Sequence, residues 1–236
     1  VAAGGSTSTT LNIGEVSKTT NGGATWEVLP FNFGRIVYAF AAPTENIWYA
    51  ATGLNKIFKT TDAGATWVEQ TSALPGTTAL WSMAFLNETT GFIGGVSGSL
   101  MRTTDGGATW TQITNSGFPG TQTIFDMAYQ PDGSITIVGG GSNAIKSTDG
   151  GATWTPIFVG AAGTYFAIKY KDQNIGFIGA GSKNLARTTD GGATWNLSNL
   201  PDQIASTSSF WSFGFGFPNY VWTSAVGGEV LYSADG

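Results

Sequence analysis

The sequence predicts an all-β chain built from about six copies of one four-stranded antiparallel unit. Three observations predict it. First, one nine-residue phrase recurs: "KTTNGGATW" from Lys18, "KTTDAGATW" from Lys59, "RTTDGGATW" from Arg102, "KSTDGGATW" from Lys146 and "RTTDGGATW" from Arg187. A sixth copy, "YSADG", ends at Gly236. The acidic position falls at Asn21, Asp62, Asp105, Asp149, Asp190 and Asp235, with spacings of 41, 43, 44, 41 and 45 residues. Second, each interval holds short β-branched and aromatic runs separated by Gly, Pro, Asn and Asp turn signals. Third, no window of helical length keeps a helical period without a Gly or Pro breaker.

The elements of one interval follow in order. "RIVYAF" reads as a first strand, "NIWYAA" as a second, "KIFKTT" as a third and "WVEQT" as a fourth. The next interval repeats them as "LWSMAFL", "GFIGGV", "SLMRTT" and "WTQIT". Four strands in a unit of this length is the size of a β-propeller blade. "VAAGG" at the start matches a second strand, and the chain ends in a third. The expectation is therefore about 22 strands in one domain over residues 1–236, with the first and last blades incomplete. Two arrangements fit: a six-bladed ring, or part of a larger propeller, for example a seven-bladed one. The stop inside a sixth copy favours the second.

Composition narrows the chemistry. The chain has 41 % hydrophobic and 13 % aromatic residues, enough for a core, with only 11 % charged residues and a net charge of −5. No Lys/Arg cluster is present to neutralise phosphates, so no nucleic-acid partner is expected. No apolar run is long enough to span a bilayer, so membrane insertion is not expected. Cys and His are absent. That removes thiol nucleophiles, His-based triads and Cys/His metal sites. Low Lys with Gly-, Thr- and Trp-rich repeats points to an extracellular, cell-surface or periplasmic protein.

The recurring phrase reads as a turn between third and fourth strands. Its carboxylate can accept backbone N–H groups, its Gly permits positive φ, and its Thr and Trp close and cover the turn. The phrase resembles the Asp-box, the bacterial neuraminidase repeat, and the match covers nearly the whole chain. The resemblance implies a propeller whose boxes lie on the periphery, away from the central ligand face. It marks Asn21, Asp62, Asp105, Asp149, Asp190 and Asp235 as structural, with Trp26, Trp67, Trp110, Trp154 and Trp195. One acid per box cannot form a calcium cage, so no metal or cofactor is expected. Lys18, Lys59, Arg102, Lys146 and Arg187 read as solvated strand residues or local partners of the boxes.

Enzymes with such boxes set the alternatives. Sialidases clamp a carboxylate with three Arg, but this chain has three in all, and only Arg35 lies outside the repeat. Xyloglucan-cleaving glycosidases need two facing carboxylates, for which Asp126 and Asp202 are the candidates. The chain is also similar to the propellers of photosystem II assembly factors, which carry an Arg-rich patch. The expected function is a non-catalytic binding propeller of a secreted or surface-attached bacterial protein, with a protein or polysaccharide partner.

The variable fourth-to-first loops, such as "PFNFGR" and "SNLPDQIASTSS", are where ligand contacts would be grafted. The ligand-binding candidates are Phe31, Phe33, Arg35, Tyr38, Phe118, Asp126, Lys169 and Asp202. Tyr38, Ser82, Asp126, Lys169 and Ser212 are taken as roughly equivalent inner-strand positions. Trp81, Phe125, Phe166 and Trp211 occupy the adjacent register, either packed between blades or forming a stacking platform.

Overall fold

The structure, a computed structural model, describes residues 2–5, 14–74, 78–216 and 219–234. Asp235, the sixth acidic position, lies outside them. The chain divides into two compact units, Val1–Ile113 and Thr114–Gly236.

The first unit holds three sheets. β1 (Ala2–Gly5), β2 (Gly14–Lys18) and β3 (Glu27–Val28) form the first. β4 (Val37–Ala41), β5 (Trp48–Thr52), β6 (Ile57–Thr60) and β7 (Val68–Gln70) form the second. β8 (Leu80–Phe85), β9 (Gly91–Gly95), β10 (Leu100–Thr103) and β11 (Thr111–Gln112) form the third. The second unit holds three more. The fourth sheet is β12 (Ile124–Tyr129), β13 (Ile135–Gly139), β14 (Asn143–Ser147) and β15 (Thr155–Pro156). The fifth is β16 (Tyr165–Tyr170), β17 (Gly176–Ala180), β18 (Leu185–Thr188) and β19 (Asn196–Leu197). The sixth is β20 (Phe210–Gly216), β21 (Tyr220–Ala225) and β22 (Val230–Ser233). Every pairing is antiparallel between consecutive strands. The 22 strands among the described residues match the expected number, and the first and last sheets have three strands each.

Position in the sheet explains composition. Every residue of β5, β9, β13 and β17 is buried, because these second strands are covered on both faces. They are accordingly rich in Ala, Gly, Ile and Phe, without the polar alternation of a one-sided sheet. Within each unit the core is a series of clusters between consecutive sheets. Val16 and Leu29 of the first sheet region pack with Trp48, Ala50 and Trp67 of the second. Tyr49 and Ile57 of the second pack with Ile93, Met101 and Trp110 of the third. In the second unit, Val138 and Ala144 meet Ile178 and Trp195, and Phe177 and Leu185 meet Phe210 and Val221. The Trp of each of these repeats thus packs toward the preceding sheet.

The cations before the turns differ from expectation. Lys59 donates to the Gly106 carbonyl at 2.6 Å, and Lys146 to the Gly191 carbonyl at 2.7 Å. Each reaches the turn of the following sheet, not its own, so these lysines tie neighbours together. Arg102 and Arg187 lie over the Phe92 and Phe177 rings of their own sheets, 6.0 Å from the centroid.

Candidate functional site

The recurring turn satisfies itself. In the copy at Asp190, Thr188 Oγ1 donates to Asp190 Oδ1 (2.8 Å) and accepts from the Gly192 N–H (2.9 Å). The Thr194 N–H donates to Oδ1 (2.9 Å) and the Thr194 hydroxyl to Oδ2 (2.5 Å). The copies at Asp62, Asp105 and Asp149 repeat the pattern. At Asn21 the amide donates to Thr25 Oγ1 instead, and the other bonds persist. Two successive residues in each turn have positive φ, as at Gly106 (68°) and Gly107 (83°), which explains the doubled glycine. Among the described residues no group of three or more acidic side chains could hold a metal ion. The carboxylate is consumed by the turn's own hydroxyls and one backbone N–H, so the turn offers little to a ligand.

These bonds hold Asp62, Asp105, Asp149 and Asp190 at about 2, below the ordinary 3.8, chiefly through the Thr hydroxyls. Asp126 behaves oppositely. Burial pushes its carboxyl up to about 6, although bonds from the Ile168 and Met127 N–H groups and the nearby Lys169 favour the ionised form. Depressed carboxylates contribute stability that is present above the unfolded value and lost as pH falls through about 2. A raised one contributes stability that is present below the unfolded value and lost as pH rises through about 6. The expected result is a melting temperature that peaks near pH ~4–5 and declines on both sides. Asp126→Asn should flatten the upper slope only. A scan of melting temperature against pH, at low protein concentration because the pI is near 4.5, checks both arms.

A different regularity faces outward from the core. Each inner strand carries a β-bulge at its start: the registers shift between Val37 and Ala39, Leu80 and Ser82, Ile124 and Asp126, Tyr165 and Ala167, and Phe210 and Ser212. The extra residue is aromatic every time: Tyr38, Trp81, Phe125, Phe166 and Trp211. A bulge re-aims its side chain out of the alternation. The flanking residues Val37, Ala39, Leu80, Ser82, Tyr165 and Ala167 are buried, whereas Tyr38 is 38 % and Trp211 43 % exposed. Trp81, Phe125 and Phe166 are half-buried. The Tyr38 and Phe166 rings lie against Gly53 and Gly181, in the turns after the second strands, so they sit at the end of the sheet where those turns lie.

In the first unit Tyr38 leans on Trp81, centroids 4.8 Å apart at 33°. In the second, Trp211 stacks on Phe166 at 4.2 Å and 21°, and Phe125 meets Phe166 edge-on at 5.2 Å. The turns beside them carry left-handed non-glycine residues, Leu54, Asn55, Ser97, Ser142, Ser182 and Lys183. Paired left-handed residues suit two-residue hairpin turns, but outside Gly and Asn they strain the backbone, a pattern that gathers at binding surfaces.

The sequence-derived candidates are dispersed by this geometry. Phe33 is 7 % exposed and meets Trp67 at 5.0 Å and Phe58 at 5.2 Å; Phe31 packs on Phe33 at 4.8 Å. Phe118 is also 7 % exposed, against Gly139. The core takes up the Phe33 and Phe118 rings, while Phe31 stays half-buried against Phe33. Asp126 accepts from the Met127 and Ile168 N–H groups, both at 2.8 Å, and so clamps β12 to β16 with both oxygens. Lys169 donates to the Phe213 carbonyl of the next sheet at 3.1 Å. Arg35 and Asp202 are exposed in loops. Tyr38 alone among the eight belongs to the aromatic layer. The supposed equivalence of Tyr38, Ser82, Asp126, Lys169 and Ser212 fails at two places. Tyr38 is the bulge residue itself. Lys169 pairs with Phe177 and stands where the other inner strands have Ala41, Ala84, Ala128 and Gly214.

No family model matches the chain, and no curated protein matches it. Solved structures do. A GH74 enzyme from Niastella koreensis aligns at a TM-score of 0.76 and 18 % identity, over 95 % of this chain and 41 % of that one. YCF48 bound to D1 peptide aligns at 0.65 and 19 %, over 84 % of this chain and 64 % of that one. The extracellular domain of the B. thetaiotaomicron two-component system protein BT3049 aligns at 0.73 and 14 %, over 94 % and 32 %. The chain is thus a β-propeller of antiparallel blades, and it spans less than two thirds of each of these relatives. They are an enzyme, a peptide-bound protein and an extracellular domain of a two-component system, all 19 % identical or less, so the likeness carries the fold alone. Among the described residues no helix is long and apolar enough to cross a membrane.

Proposed function

We propose that the chain is a non-catalytic binding propeller in which each unit presents the aromatic rings of its inner-strand bulges to a protein or glycan partner. One observation carries the reading: all five inner strands spend their extra residue on an aromatic ring that stands out of the packed core. Planar rings, of which Tyr38 and Trp211 are more than a third exposed, set among Ser, Asn and Gly turns, suit stacking on a sugar or on a peptide side chain. The self-satisfied repeat turns resemble Asp-boxes and act as scaffold. Secretion or surface display fits the composition and the extracellular domains among the similar structures. Asp126 and Asp202 are poor partners for glycoside hydrolysis, because both Asp126 oxygens accept backbone N–H groups.

The test is a glycan array and a displayed-peptide library, probed with the chain and with Trp211→Ala. A ligand should be captured by the parent and weakened about tenfold by the substitution, with little change in melting temperature. Equal capture by the variant, or no ligand from either collection, contradicts the proposal.

A further inference from the structure

A second feature lies away from the aromatic layer, where the fourth and fifth sheets meet at their outer strands. A cleft of about 450 Å³ is lined by Thr153, Thr155, Pro156, Phe158, Thr194 and Trp195, and Lys146 also borders it. That volume is within the range of small-ligand sites. Phe158 is 89 % exposed, the highest among the large hydrophobic side chains described. Its position is four residues after the repeat Trp, where the other repeats have Pro30, Thr71, Thr114 and Asn199. The fold therefore does not require an aromatic ring there. Gly160, with φ of 78°, turns the chain beside it, and the Phe158 ring passes 3.8 Å from the place its Cβ would take.

The rest of the lining is polar but uncharged in effect. The Lys146 ammonium donates to the Gly191 carbonyl, and the nearby Asp132 and Asp190 carboxylates balance its charge. The Thr153 and Thr194 hydroxyls donate to their own turn carboxylates, so toward the cleft they can only accept. Trp195 is 9 % exposed, and its indole N–H has no acceptor among the described residues. Trp67 and Trp110 share that last property, so the indole alone does not distinguish this place; Phe158 does. An exposed ring face and several hydroxyl acceptors, with the one cation already engaged, match a neutral sugar. One face of a pyranose offers C–H groups to a ring, and its hydroxyls both donate and accept.

We propose that this cleft is a saccharide subsite, taking a neutral hexose unit stacked on Phe158 with its hydroxyls donating to the exposed Thr153 and Thr194 oxygens. It is independent of the aromatic layer and could hold even if that layer binds a peptide.

The experiment is a nitrogen- and carbon-labelled NMR titration of the full chain with cellohexaose, maltohexaose and mannohexaose, run in parallel on Phe158→Thr and Trp211→Ala. Phe158→Thr installs the residue found at Thr71 and Thr114, so folding should be unchanged. At least one hexasaccharide should shift the Thr194 and Phe158 ring signals. Phe158→Thr should weaken that binding about tenfold, and Trp211→Ala should leave it intact. Three results would overturn the subsite: no shift at Thr194 with any hexasaccharide, equal affinity of Phe158→Thr, or loss of the shift in Trp211→Ala. Failure of the aromatic layer would appear separately, as capture that is insensitive to Trp211.

Discussion

Tyr49→Ala is expected to destabilise the chain by about 3–5 kcal/mol, the usual cost of emptying a buried aromatic site. Tyr49 is fully buried between the second and third sheets and stacks on Phe85 at 4.1 Å and 15°. Its hydroxyl donates to the Gly106 carbonyl at 2.7 Å, and Lys59 approaches the same oxygen. Burial, with Asp105 and Glu88 adding to it, pushes the phenol up to about 12, so the hydroxyl remains a donor over the working pH range. The side chain therefore supplies packing and one polar tie across an interface between sheets. Tyr49→Phe separates the two. It should cost only about 1 kcal/mol, because Lys59 still pairs the Gly106 carbonyl. Urea unfolding checks both, and equal losses in the two variants would mean that the ring packing had been overvalued.

Gly64→Ala should be nearly as damaging, at about 2–5 kcal/mol, through two separate costs. Gly64 has φ of +88°, a conformation that a Cβ disfavours by about 1–2 kcal/mol. A Cβ there would also stand 2.3 Å from Leu29 Cδ1 and 2.7 Å from Trp48 Cζ3. Both side chains are nearly fully buried and have nowhere to go. Gly34→Ala is the control. Gly34 has φ of +66° and nothing within 4 Å of the added carbon, so only the conformational cost applies. If both variants shift the urea midpoint equally, the collision contributes nothing and the packing of the first and second sheets is looser than described.

The repeat made most of the fold legible. Period and strand order followed from a phrase whose Asp, paired glycines and Thr are each required by the turn's own hydrogen bonds. The functional surface was less legible because a bulge is invisible to strict alternation. One inserted residue moves Tyr38 from the supposed company of Ser82 and Asp126 into that of Trp81 and Trp211. A signal was nevertheless present. "WSMAF", "FDMAY", "FAIKY" and "WSFGF" align as aromatic, three intervening residues, aromatic, and "YAFAA" keeps the first ring alone. Phe33 and Phe118 misled for another reason. They lie in variable loops, but Phe33 folds back into the cluster of the first two sheets and Phe118 against Gly139, so burial claims their rings first. The reach of Lys59 and Lys146 to the following sheet depends on how consecutive units stack, which no single repeat encodes.

The central claim is a division of labour, with the repeated turns as scaffold and the bulge aromatics as the binding face. Its most direct test measures ligand affinity and melting temperature together in Trp211→Ala and Asp190→Ala, with the ligand taken from the array or peptide library. The account predicts a crossed result: Trp211→Ala loses affinity and keeps its melting temperature, whereas Asp190→Ala loses melting temperature and keeps its affinity while folded. Loss of affinity in folded Asp190→Ala, with none in Trp211→Ala, would contradict it.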